Sequence, residues 1–487
     1  MSERSKKIKE LFKGFGETAP QNVAELAVTG VQFDSRRVVP GNLFVAVRGF
    51  TTDGHDYLPM AQERGAAAAV VECVSDSIKI PQIKVRDSRK ALAYLAANFY
   101  RPEIDQLTLV GITGTNGKTT TSFLAQSVLE TAGLPSGLMG TIQYRIGQKK
   151  VDAWNTTPES ADVAAMLFEL AEQKFNACVL EVSSHALALQ RVDGLRFKVG
   201  VFTNLTRDHL DFHKTFEDYF ESKMHLFDLL THDGTAVINI DDDYGKKAAD
   251  RIEQAVLTFG QSPGADIHPL KVHVSLNGIE MECATPFGAI EIHSPLTGDF
   301  NVQNILAAIG VGLALHIPLE EISLGIGRME RVPGRLESYE IKPGVRAVID
   351  YSHTPDSLEK ALQTLRAMTQ GRLLVVFGAG GDRDPGKRPL MGKVAEQLAD
   401  VVFVTSDNPR NEDPEKIIDD ILQGMEDEQK RKVIVDRKQA IFAAVQEARA
   451  GDVILIAGKG HETYQIIKGQ KFDFDEVAIL KEAARRA

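Results

Sequence analysis

Short apolar runs alternate with amphipathic stretches along this chain. The run LTLVGIT precedes SFLAQSVLETAG, and RLLVVFGAG precedes PLMGKVAEQLAD. Continuous apolar runs of this kind are typical of strands buried on both faces of a parallel sheet, and the stretches that follow have helical patterns. The pattern predicts an α/β fold in which ligands bind at the carboxyl ends of the strands.

The length of the chain indicates more than one domain. It has 487 residues, and at about 150 residues per domain we expect roughly three. The helix-like stretch ALAYLAANFY ends just before Arg101-Pro102, and Pro333-Gly334 interrupts the pattern again. We therefore expect domains over residues 1–101, 102–333 and 334–487.

Composition and charge narrow the class of partner. Hydrophobic residues make up 43% of the chain and charged residues 25%, as in an average soluble globular protein. The formal net charge of -11 argues against binding a nucleic-acid backbone, although it permits a local arginine-lined pocket for a small anion. We expect small-molecule substrates and no nucleic acid.

The cysteines and the hydropathy indicate the compartment. Cys73, Cys178 and Cys283 are far apart, so their spacing predicts neither a CxxC pair nor a disulfide framework. The start, MSERSKKIKELFKGF, lacks the apolar core of an export signal, and no apolar run approaches the roughly 20 residues that span a bilayer. We expect a cytoplasmic protein with no membrane span.

A glycine-rich loop between a predicted strand and a predicted helix is the sharpest chemical signal. In LTLVGITGTNGKTTTSFLAQSVL, backbone N–H groups of the loop would surround phosphate oxygens, Lys118 would reach the terminal phosphates, and a threonine hydroxyl would bind magnesium. One position departs from the strict eight-residue P-loop pattern, because Ile112 replaces its first glycine. A purely structural glycine turn is the alternative interpretation.

Acidic residues and histidines follow two later strands. In NACVLEVSSHAL, Glu181 ends an apolar strand, where a magnesium ion or another cation would offset the cost of burying its carboxylate. The alternative is that this carboxylate caps the next helix. The segment VFTNLTRDHLDFH contains a second group, for which a solvated loop is the alternative: Asp208, His209, Asp211 and His213.

A lysine with an unusual predicted environment lies in FEDYFESKMHLF. On a helix, Phe220 and Phe227 fall three and four positions from Lys223, so this lysine borders an apolar stripe. An ordinary lysine would extend its ammonium to solvent across that surface. A buried one would lose much of its basicity, and carbamylation would turn its nitrogen into an anionic magnesium ligand. The pattern leaves both interpretations open.

Further motifs occur in a fixed order. GTNGKTT, EVSSH, NLTRDHLDFH and YFESK are followed by GDFNVQNILAA, RVPGRLE, DYSHTPDSL, FGAGGDRDPGKRPLM, SDNPRNEDP and AGKGHE, and FDSRRVVPGNLFVAVRGFTTDGHDY precedes them all. In this order the motifs resemble the Mur ligase family over nearly the whole chain, and within it the diaminopimelate-adding branch. The resemblance implies a smaller N-terminal α/β domain that binds a UDP-sugar, a central P-loop ATP-binding domain with a parallel sheet, and a C-terminal Rossmann-like domain that binds an amino acid.

The resemblance assigns nucleotide and metal roles to matching residues. The phosphate cradle corresponds to Gly114, Thr115, Asn116, Gly117, Lys118, Thr119 and Thr120. Further nucleotide-site positions correspond to Asn304, Arg335, Asp350 and His353. Magnesium would be held by Thr119, Glu181, His209 and carbamylated Lys223, and the catalytic set would be Lys118, Glu181, His209 and Lys223. Without the resemblance, Asn304 and Arg335 would be read as ordinary polar residues.

The two other substrates have their own matching positions. The uridine part of UDP-MurNAc-L-Ala-D-Glu would contact Ser35, Arg48, Gly49 and Phe50, and its muramoyl-dipeptide part would contact Asn155, Thr156, Thr157, Ser183 and Arg191. The pocket for meso-diaminopimelate would contain Arg383, Asp407, Asn408, Pro409, Arg410, Gly458 and Glu462. Relatives that add lysine lack the arginine that matches Arg410. Taken alone, Asn-Pro would be a turn signal.

The resemblance implies ATP-dependent amide bond formation in cytoplasmic peptidoglycan precursor synthesis. ATP would phosphorylate the D-glutamyl carboxylate to an acyl phosphate, which the amine of meso-diaminopimelate attacks, with Mg²⁺ as cofactor and a monomer as the active form. Two alternatives stay open. One is another amide ligase of the superfamily, such as a lysine-adding or folylpolyglutamate-forming enzyme, and the other is a P-loop regulatory protein that hydrolyses ATP only to change conformation.

Overall fold

The computed structural model of the protein describes residues 4–206, 208 and 210–486, and it describes no side chain at 210 or 211. By their contacts these residues form two compact units. The first contains the chain up to residue 269 together with 284–290 and 303–326, and the second contains 270–283, 291–302 and the chain from 327 onward. In the described part of the chain, no helix has the length and apolar character needed to cross a membrane.

A small parallel sheet is formed by the first hundred residues. The strands and α-helices here are β1 (Lys6–Lys7), α1 (Ile8–Leu11), α2 (Gln21–Ala24), β2 (Ala27–Val28), β3 (Gly30–Gln32), β4 (Asn42–Val45), α3 (Leu58–Glu63), β5 (Ala68–Val71), β6 (Gln82–Lys84) and α4 (Ser88–Tyr100). Short 3₁₀ helices span Ser35–Arg37, Gly54–Tyr57 and Ile104–Gln106. Strands β3 to β6 pair in chain order, all parallel, and β1 pairs with β2 antiparallel.

A larger sheet follows in the same unit. Its elements are β7 (Thr108–Thr113), α5 (Lys118–Thr131), β8 (Ser136–Met139), β9 (Gln143–Ile146), β10 (Lys149–Asp152), α6 (Ser160–Glu172), β11 (Ala177–Glu181), α7 (Ser184–Ala188), β12 (Phe197–Phe202), α8 (Leu210–His213), α9 (Phe216–Asp228), β13 (Leu230–Asn239), α10 (Asp243–Arg251) and β14 (Ala255–Phe259). Within the described residues the strand order is β10-β9-β8-β11-β7-β12-β13-β14. The strands from β8 to β14 in that order are parallel, whereas β9 and β10 are antiparallel.

The next elements connect the two parallel-sheet regions in sequence. Strands β15 (His268–Ser275), β16 (Gly278–Thr285) and β17 (Gly288–Ser294) form a sheet in that order, and the helices α11 (Phe300–Ala314) and α12 (Leu319–Arg328) come after them.

The remaining chain forms another mainly parallel sheet. Its elements are β18 (Glu337–Lys342), β19 (Val345–Asp350), α13 (Pro355–Met368), β20 (Leu373–Phe377), α14 (Lys387–Leu398), β21 (Val401–Val404), α15 (Pro414–Leu422), β22 (Arg431–Val433), α16 (Arg437–Glu447), β23 (Val453–Ala457), β24 (Tyr464–Ile467), β25 (Gln470–Asp473) and α17 (Glu476–Arg486). Among the described residues the order is β18-β19-β23-β20-β21-β22, with only β18 antiparallel, and β24 pairs with β25 in a separate hairpin.

The apolar runs of the sequence are the central strands of these sheets. Every residue of β11, β20 and β23 is buried, as expected for strands covered on both faces. The predicted α/β class is therefore confirmed, with a central parallel sheet, a second parallel sheet toward the C-terminus and a smaller one at the N-terminus. In such sheets the parallel strands end at a common edge, where the loops that carry polar motifs meet.

Candidate active site

The glycine loop connects the central strand β7 directly to helix α5. Gly114 has φ +145° and Gly117 has φ +85°, a backbone region that side chains other than glycine rarely adopt. A methyl group at Gly114 would overlap Thr203 Oγ1, and one at Gly117 would overlap Asn304 Oδ1. Both conformation and space therefore require glycine, and the backbone N–H groups at the start of α5 point into an anion-binding position.

Lysine and threonine side chains complete this loop. Lys118 Nζ donates hydrogen bonds to the carbonyls of Gly114 and Thr115, both at 2.8 Å, so its ammonium lies over the loop. The loop is also held from the neighbouring strand β12, because Asn204 Oδ1 accepts from Asn116 N at 2.9 Å. Thr203 Oγ1 donates to the Asn116 carbonyl at 2.6 Å. The loop is thus fixed in shape before any phosphate binds.

Glu181 lies beside this loop at the end of β11, with its side chain buried. Its Oε2 accepts hydrogen bonds from Thr119 Oγ1 at 3.0 Å and Thr141 Oγ1 at 2.9 Å, and its Oε1 accepts from Thr141 N at 3.0 Å. Ser183, not Glu181, caps helix α7, since its side chain accepts from Ala186 N. The helix-cap interpretation of Glu181 is therefore wrong. A cluster of carboxylate and hydroxyl oxygens suits a hard cation such as Mg²⁺.

Lys223 is buried on helix α9, with only 1% of its surface exposed. Its Nζ lies 4.3 Å from the centroid of the Tyr219 ring. Burial lowers the pKa of Lys223 well below its usual value, and repulsion from Lys118 adds to this, whereas attraction to Asp208 opposes it. The solvent-reaching interpretation of this lysine is wrong, because the whole side chain is buried.

The segment after β12 is described in part. His209 lies outside the described residues, and so does the side chain of Asp211. His213 is buried and shares hydrogen bonds with Ser184 Oγ at 2.9 Å and Ser222 Oγ at 3.3 Å, so the solvated-loop interpretation is wrong for this residue. Across the described ranges, no three His, Cys, Asp or Glu side chains stand at metal-binding spacing.

Thr157, one of the residues predicted to hold the muramoyl-dipeptide, contacts Glu181 directly, and others are bonded to Thr157 or lie close to it. Thr157 Oγ1 donates to the Glu181 carbonyl at 2.8 Å and lies 3.3 Å from Ser183 Oγ. Arg191 donates to the Thr157 carbonyl at 2.9 Å and pairs with Glu159 at 2.8 Å. The other two members of this set contact neighbouring residues. Thr156 Oγ1 lies 3.1 Å from Thr141 Oγ1, and the Asn155 backbone N–H donates to Tyr144 Oη at 3.0 Å.

The positions predicted for uridine lie in the N-terminal part of the first unit. Ser35 is buried at the start of a 3₁₀ helix and donates to Met60 Sδ at 3.2 Å. Arg48 and Gly49 lie in an exposed turn in which Gly49 N donates to Thr52 O at 2.8 Å. Phe50 is 75% exposed and lies edge-on to Phe212, with ring centroids 5.9 Å apart. This turn therefore borders helix α8.

The remaining nucleotide positions are divided between the two units. Asn304 is buried in the first unit, where its Oδ1 accepts from Thr121 Oγ1 at 3.4 Å. In the second unit, Asp350 ends β19 and accepts from Leu336 N at 2.8 Å. Arg335 lies with its guanidinium 5.5 Å from the Tyr351 ring centroid, and the exposed His353 bonds through Nδ1 to the Tyr351 carbonyl at 2.9 Å.

The predicted amino-acid pocket is assembled at the carboxyl edge of the second parallel sheet. The turn Asp407–Arg410 follows β21, and Gly458 follows β23. Asn408 Nδ2 donates to Glu462 Oε2 at 2.8 Å, which joins the two turns. Gly458 has φ +120°, and a methyl group there would stand 2.7 Å from Asp407 Oδ2.

Two arginines border this pocket: Arg410 ends the turn after β21, and Arg383 lies on a third turn, after β20. A methyl group at Gly380 would stand 2.8 Å from Arg410 Nη1 and 3.9 Å from Arg383 Cγ, so both side chains pass this glycine. Arg410 Nη1 donates to the Gly381 carbonyl at 2.8 Å, whereas Arg383 is exposed. Pro409, which precedes Arg410 in the sequence, is buried. The structure therefore brings all seven predicted positions onto three neighbouring strand ends.

Some residues of the site were missed by sequence reasoning. Thr141 binds both carboxylate oxygens of Glu181 from the end of the neighbouring strand β8, and its position after an apolar run was the signal that could have found it. Lys459, in the AGKGHE motif, contacts both Asn408 and Glu462. Tyr219 shares a 3.1 Å hydrogen bond with Thr115 Oγ1, and burial raises its pKa to about 12.

Comparison with known proteins identifies the class. Residues 27–100 match the Mur ligase family catalytic domain, residues 112–312 the Mur ligase middle domain, and residues 327–460 the Mur ligase glutamate ligase domain. The chain belongs to the Mur ligase family.

Its similarity to individual members is also high. It is 46% identical to the UDP-N-acetylmuramoyl-L-alanyl-D-glutamate--2,6-diaminopimelate ligase of Geobacter metallireducens, over 93% of both chains. It is 44% identical to the ligase of the same name from Clostridium botulinum, over 93% of this chain and 94% of that one. A solved structure of a ligase with this name has a TM-score of 0.74 and 32% identity, covering 98% of both chains.

Proposed function

We propose that this protein is an ATP-dependent ligase that joins meso-diaminopimelate to UDP-MurNAc-L-Ala-D-Glu. The observation that carries the proposal is the unsatisfied buried oxygen Asp407 Oδ2, which has no hydrogen bond within the described residues and whose nearest cation, Arg437 Nη1, is 3.9 Å away. A buried acceptor without a hydrogen bond is costly, and a substrate ammonium would offset that cost. The relatives are named as ligases of UDP-N-acetylmuramoyl-L-alanyl-D-glutamate and 2,6-diaminopimelate, which supports the same choice here.

Charges around that oxygen suit an amino acid with two charged ends. Asp407 and Glu462 offer carboxylates for an ammonium group, while Arg410 and Arg383 offer guanidinium groups for the distal carboxylate. Guanidinium can bind a carboxylate through two parallel hydrogen bonds. L-Lysine lacks that distal carboxylate, so this pocket favours meso-diaminopimelate.

ATP would bind at the loop from Gly114 to Thr120, with its phosphates at the start of α5 and against Lys118. The requirement for glycine at positions 114 and 117 supports this role, because a side chain at either position would collide with Thr203 or Asn304 and the loop could not keep its present shape. Asn304, Arg335, Asp350 and His353 would contribute the rest of the nucleotide site. Catalysis of phosphoryl transfer is mainly positioning and charge neutralisation, which this loop is built to supply.

Thr119, Glu181, His209 and carbamylated Lys223 would hold magnesium. The oxygen donors around Glu181 fit this ion, and Mg²⁺ would supply charge stabilisation for the transferring phosphoryl group. The low pKa of buried Lys223 supports carbamylation, since the neutral amine is the form that reacts with carbon dioxide. The carbamate would also convert a buried positive charge into a metal-paired negative one.

The reaction would proceed in two steps, and residues of this chain would position the substrate of each. Thr157, Ser183 and Arg191 would position the dipeptide so that an oxygen of the D-glutamyl carboxylate attacks the γ-phosphorus of ATP, releasing ADP. Asp407 and Glu462 would orient the amine, which loses a proton and attacks the acyl carbon, releasing phosphate. Water must be excluded from the acyl phosphate, which it would otherwise hydrolyse. Ser35 and Arg48–Phe50 would bind the uridine end of the substrate, at a distance from the reacting carboxylate, and so contribute binding energy without taking part in the chemistry.

The organisation that goes with this function has three domains, over residues 1–101, 102–333 and 334–487, for the UDP-sugar, ATP and amino acid respectively. The three stretches matched by the family models support this division. The protein would act as a monomer in the cytoplasm, where the nucleotide-linked precursors of peptidoglycan are made.

Phosphate release tests this function directly. Purified protein would be supplied with ATP, Mg²⁺, UDP-MurNAc-L-Ala-D-Glu and one amine from a panel containing meso-diaminopimelate, L-lysine and L-glutamate. We expect release only when the UDP-dipeptide and meso-diaminopimelate are both present, and a product heavier by one diaminopimelyl residue. Release of phosphate from ATP alone would instead indicate a regulatory ATPase, and a preference for lysine or glutamate would indicate another amide ligase.

A further inference from the structure

A buried lysine lies at the base of the predicted amino-acid pocket. Lys459 follows Gly458 in the turn after β23, and its side chain is fully buried. A buried ammonium is tolerated only when it is paired and hydrogen-bonded. The hydrogen-bond partners of Lys459 therefore indicate its role, because they offset the cost of removing its ammonium from water.

Those partners belong to the two turns that form the pocket. Lys459 Nζ donates to Asn408 Oδ1 at 3.1 Å and to Glu462 Oε2 at 3.2 Å. Asn408 Nδ2 donates to the same Glu462 oxygen at 2.8 Å. The three side chains thus form a closed ring of hydrogen bonds that joins the turn after β21 to the turn after β23.

The ring fixes which atoms remain available to a substrate. Glu462 Oε2 accepts both of these hydrogen bonds, whereas Oε1 accepts none from the parts of the chain that the structure describes. Asn408 Oδ1 is also occupied, since it accepts from Ile466 N at 2.9 Å as well as from Lys459. The carboxylate is therefore held by one oxygen while the other is left to accept a hydrogen bond.

The ring also reaches the arginine that borders the pocket. Ile466 N donates to Asn408 Oδ1 at 2.9 Å and the Ile466 carbonyl accepts from Arg410 N at 3.0 Å, so β24 connects the ring to the backbone of Arg410. Lys459 is connected to this backbone through its hydrogen bond to Asn408.

We infer that Lys459 is a positioning residue for amine recognition: held beneath the pocket, it orients Glu462 and Asn408 toward the amino-acid substrate without touching that substrate itself. This role rests on the proposed ligase function and extends it to a residue outside the predicted pocket. Lys459 acts on the binding of one substrate only, because the hydrogen bonds of its side chain go to the two amino-acid turns.

The test compares Lys459→Met with Lys459→Arg and with a matched control. Methionine keeps the length and volume of the side chain without its charge or its hydrogen bonds, whereas arginine keeps both in altered geometry. Lys430→Met serves as control, because Lys430 is half-buried and, like Lys459, donates to two protein oxygens, here the carbonyls of Glu396 and Ala399, outside the amino-acid turns. Thermal unfolding of each variant is measured alongside steady-state phosphate release.

We expect Lys459→Met to raise the KM for meso-diaminopimelate at least tenfold while the KM values for ATP and the UDP-dipeptide change less than twofold. Lys459→Arg should give a smaller increase in the same KM, and Lys430→Met should change none of the three. A purely structural lysine would instead lower the unfolding temperature and kcat with no selective effect on one substrate.

Two results would overturn the inference. One is an unchanged KM for meso-diaminopimelate in either folded Lys459 variant, and the other is an equal change in all three KM values. If Lys459→Met does not fold, the Lys459→Arg comparison decides by the same criterion. Failure of the proposed function would look different, since the wild-type protein would then release no phosphate in response to meso-diaminopimelate.

Discussion

Arg410 allows the choice of amine to be tested by a single substitution. Its backbone is fixed in the left-handed region at φ +53°, with its N–H bonded to the Ile466 carbonyl at 3.0 Å. Its guanidinium is half-buried and donates from Nη1 to the Gly381 carbonyl at 2.8 Å. The position of the guanidinium is therefore set before the amine arrives, and Arg410→Ala removes it from a defined place.

The expected magnitude follows from burial. Removing one partner of a buried, hydrogen-bonded charge pair costs about 2–5 kcal/mol. Because Arg410 is only half-buried, solvent screens its charge and the lower part of that range applies, about 2–3 kcal/mol. At about 1.4 kcal/mol per factor of ten, Arg410→Ala should lower kcat/KM for meso-diaminopimelate by about 30- to 150-fold. L-Lysine lacks the distal carboxylate, so its kcat/KM should change much less.

The measurement is the ratio of kcat/KM for the two amines, with ATP and the UDP-dipeptide saturating. Arg366→Ala is a matched control, since Arg366 is also half-buried and donates to two backbone carbonyls, those of Thr369 and Gly371, outside the pocket. We expect the ratio to fall in Arg410→Ala and to stay at the wild-type value in Arg366→Ala. An unchanged ratio in Arg410→Ala, or a wild-type protein that prefers lysine, would refute the reasoning.

Three other predictions concern the first unit. Lys118→Ala should abolish phosphate release with the unfolding temperature nearly unchanged, because the two carbonyls to which Lys118 donates belong to the glycine loop and not to the core; near-normal turnover would argue against the P-loop role. Lys223 should give a carbamate carbon signal in ¹³C NMR when the protein is supplied with ¹³C-bicarbonate, and Lys223→Met should not; an active wild type without that signal would contradict carbamylation. The hydrogen bond to Asp193 raises the pKa of His225, so this pair stabilises the fold below the ordinary histidine pKa and the contribution is lost as pH rises through the raised value. Relative to His225→Gln, the wild type should therefore lose about 1 kcal/mol of unfolding free energy between mildly acidic and alkaline pH, and a constant difference would contradict this.

Much of the fold could be predicted from the sequence because buried parallel strands leave a local signature. The runs that form β7, β11 and β20 are apolar at nearly every position, and glycine follows directly after β7 and β20. The glycine loop was predictable for a similar reason, since its conformation is encoded by adjacent residues. These features depend on neighbours in sequence and need no knowledge of which strands pair.

Features that depend on strand order were not predictable in this way. Thr141 contacts Glu181 because β8 pairs with β11, although the two residues are 40 positions apart. Lys459 and Asn408, 51 positions apart, meet because their strands end at the same edge of a sheet. The burial of Lys223 also required the packing of its helix, since a lysine beside an apolar stripe can point either to solvent or to the core.

The transfer of oxygen from substrate to phosphate tests the central claim most directly. UDP-MurNAc-L-Ala-D-Glu labelled with ¹⁸O in its D-glutamyl carboxylates would be turned over with ATP and meso-diaminopimelate, and the released phosphate analysed by mass. If the carboxylate is activated as an acyl phosphate, each phosphate released should carry one ¹⁸O, with one diaminopimelyl product formed per ADP. Phosphate without ¹⁸O would mean that ATP is cleaved by water, and it would contradict the assignment of this protein as a ligase.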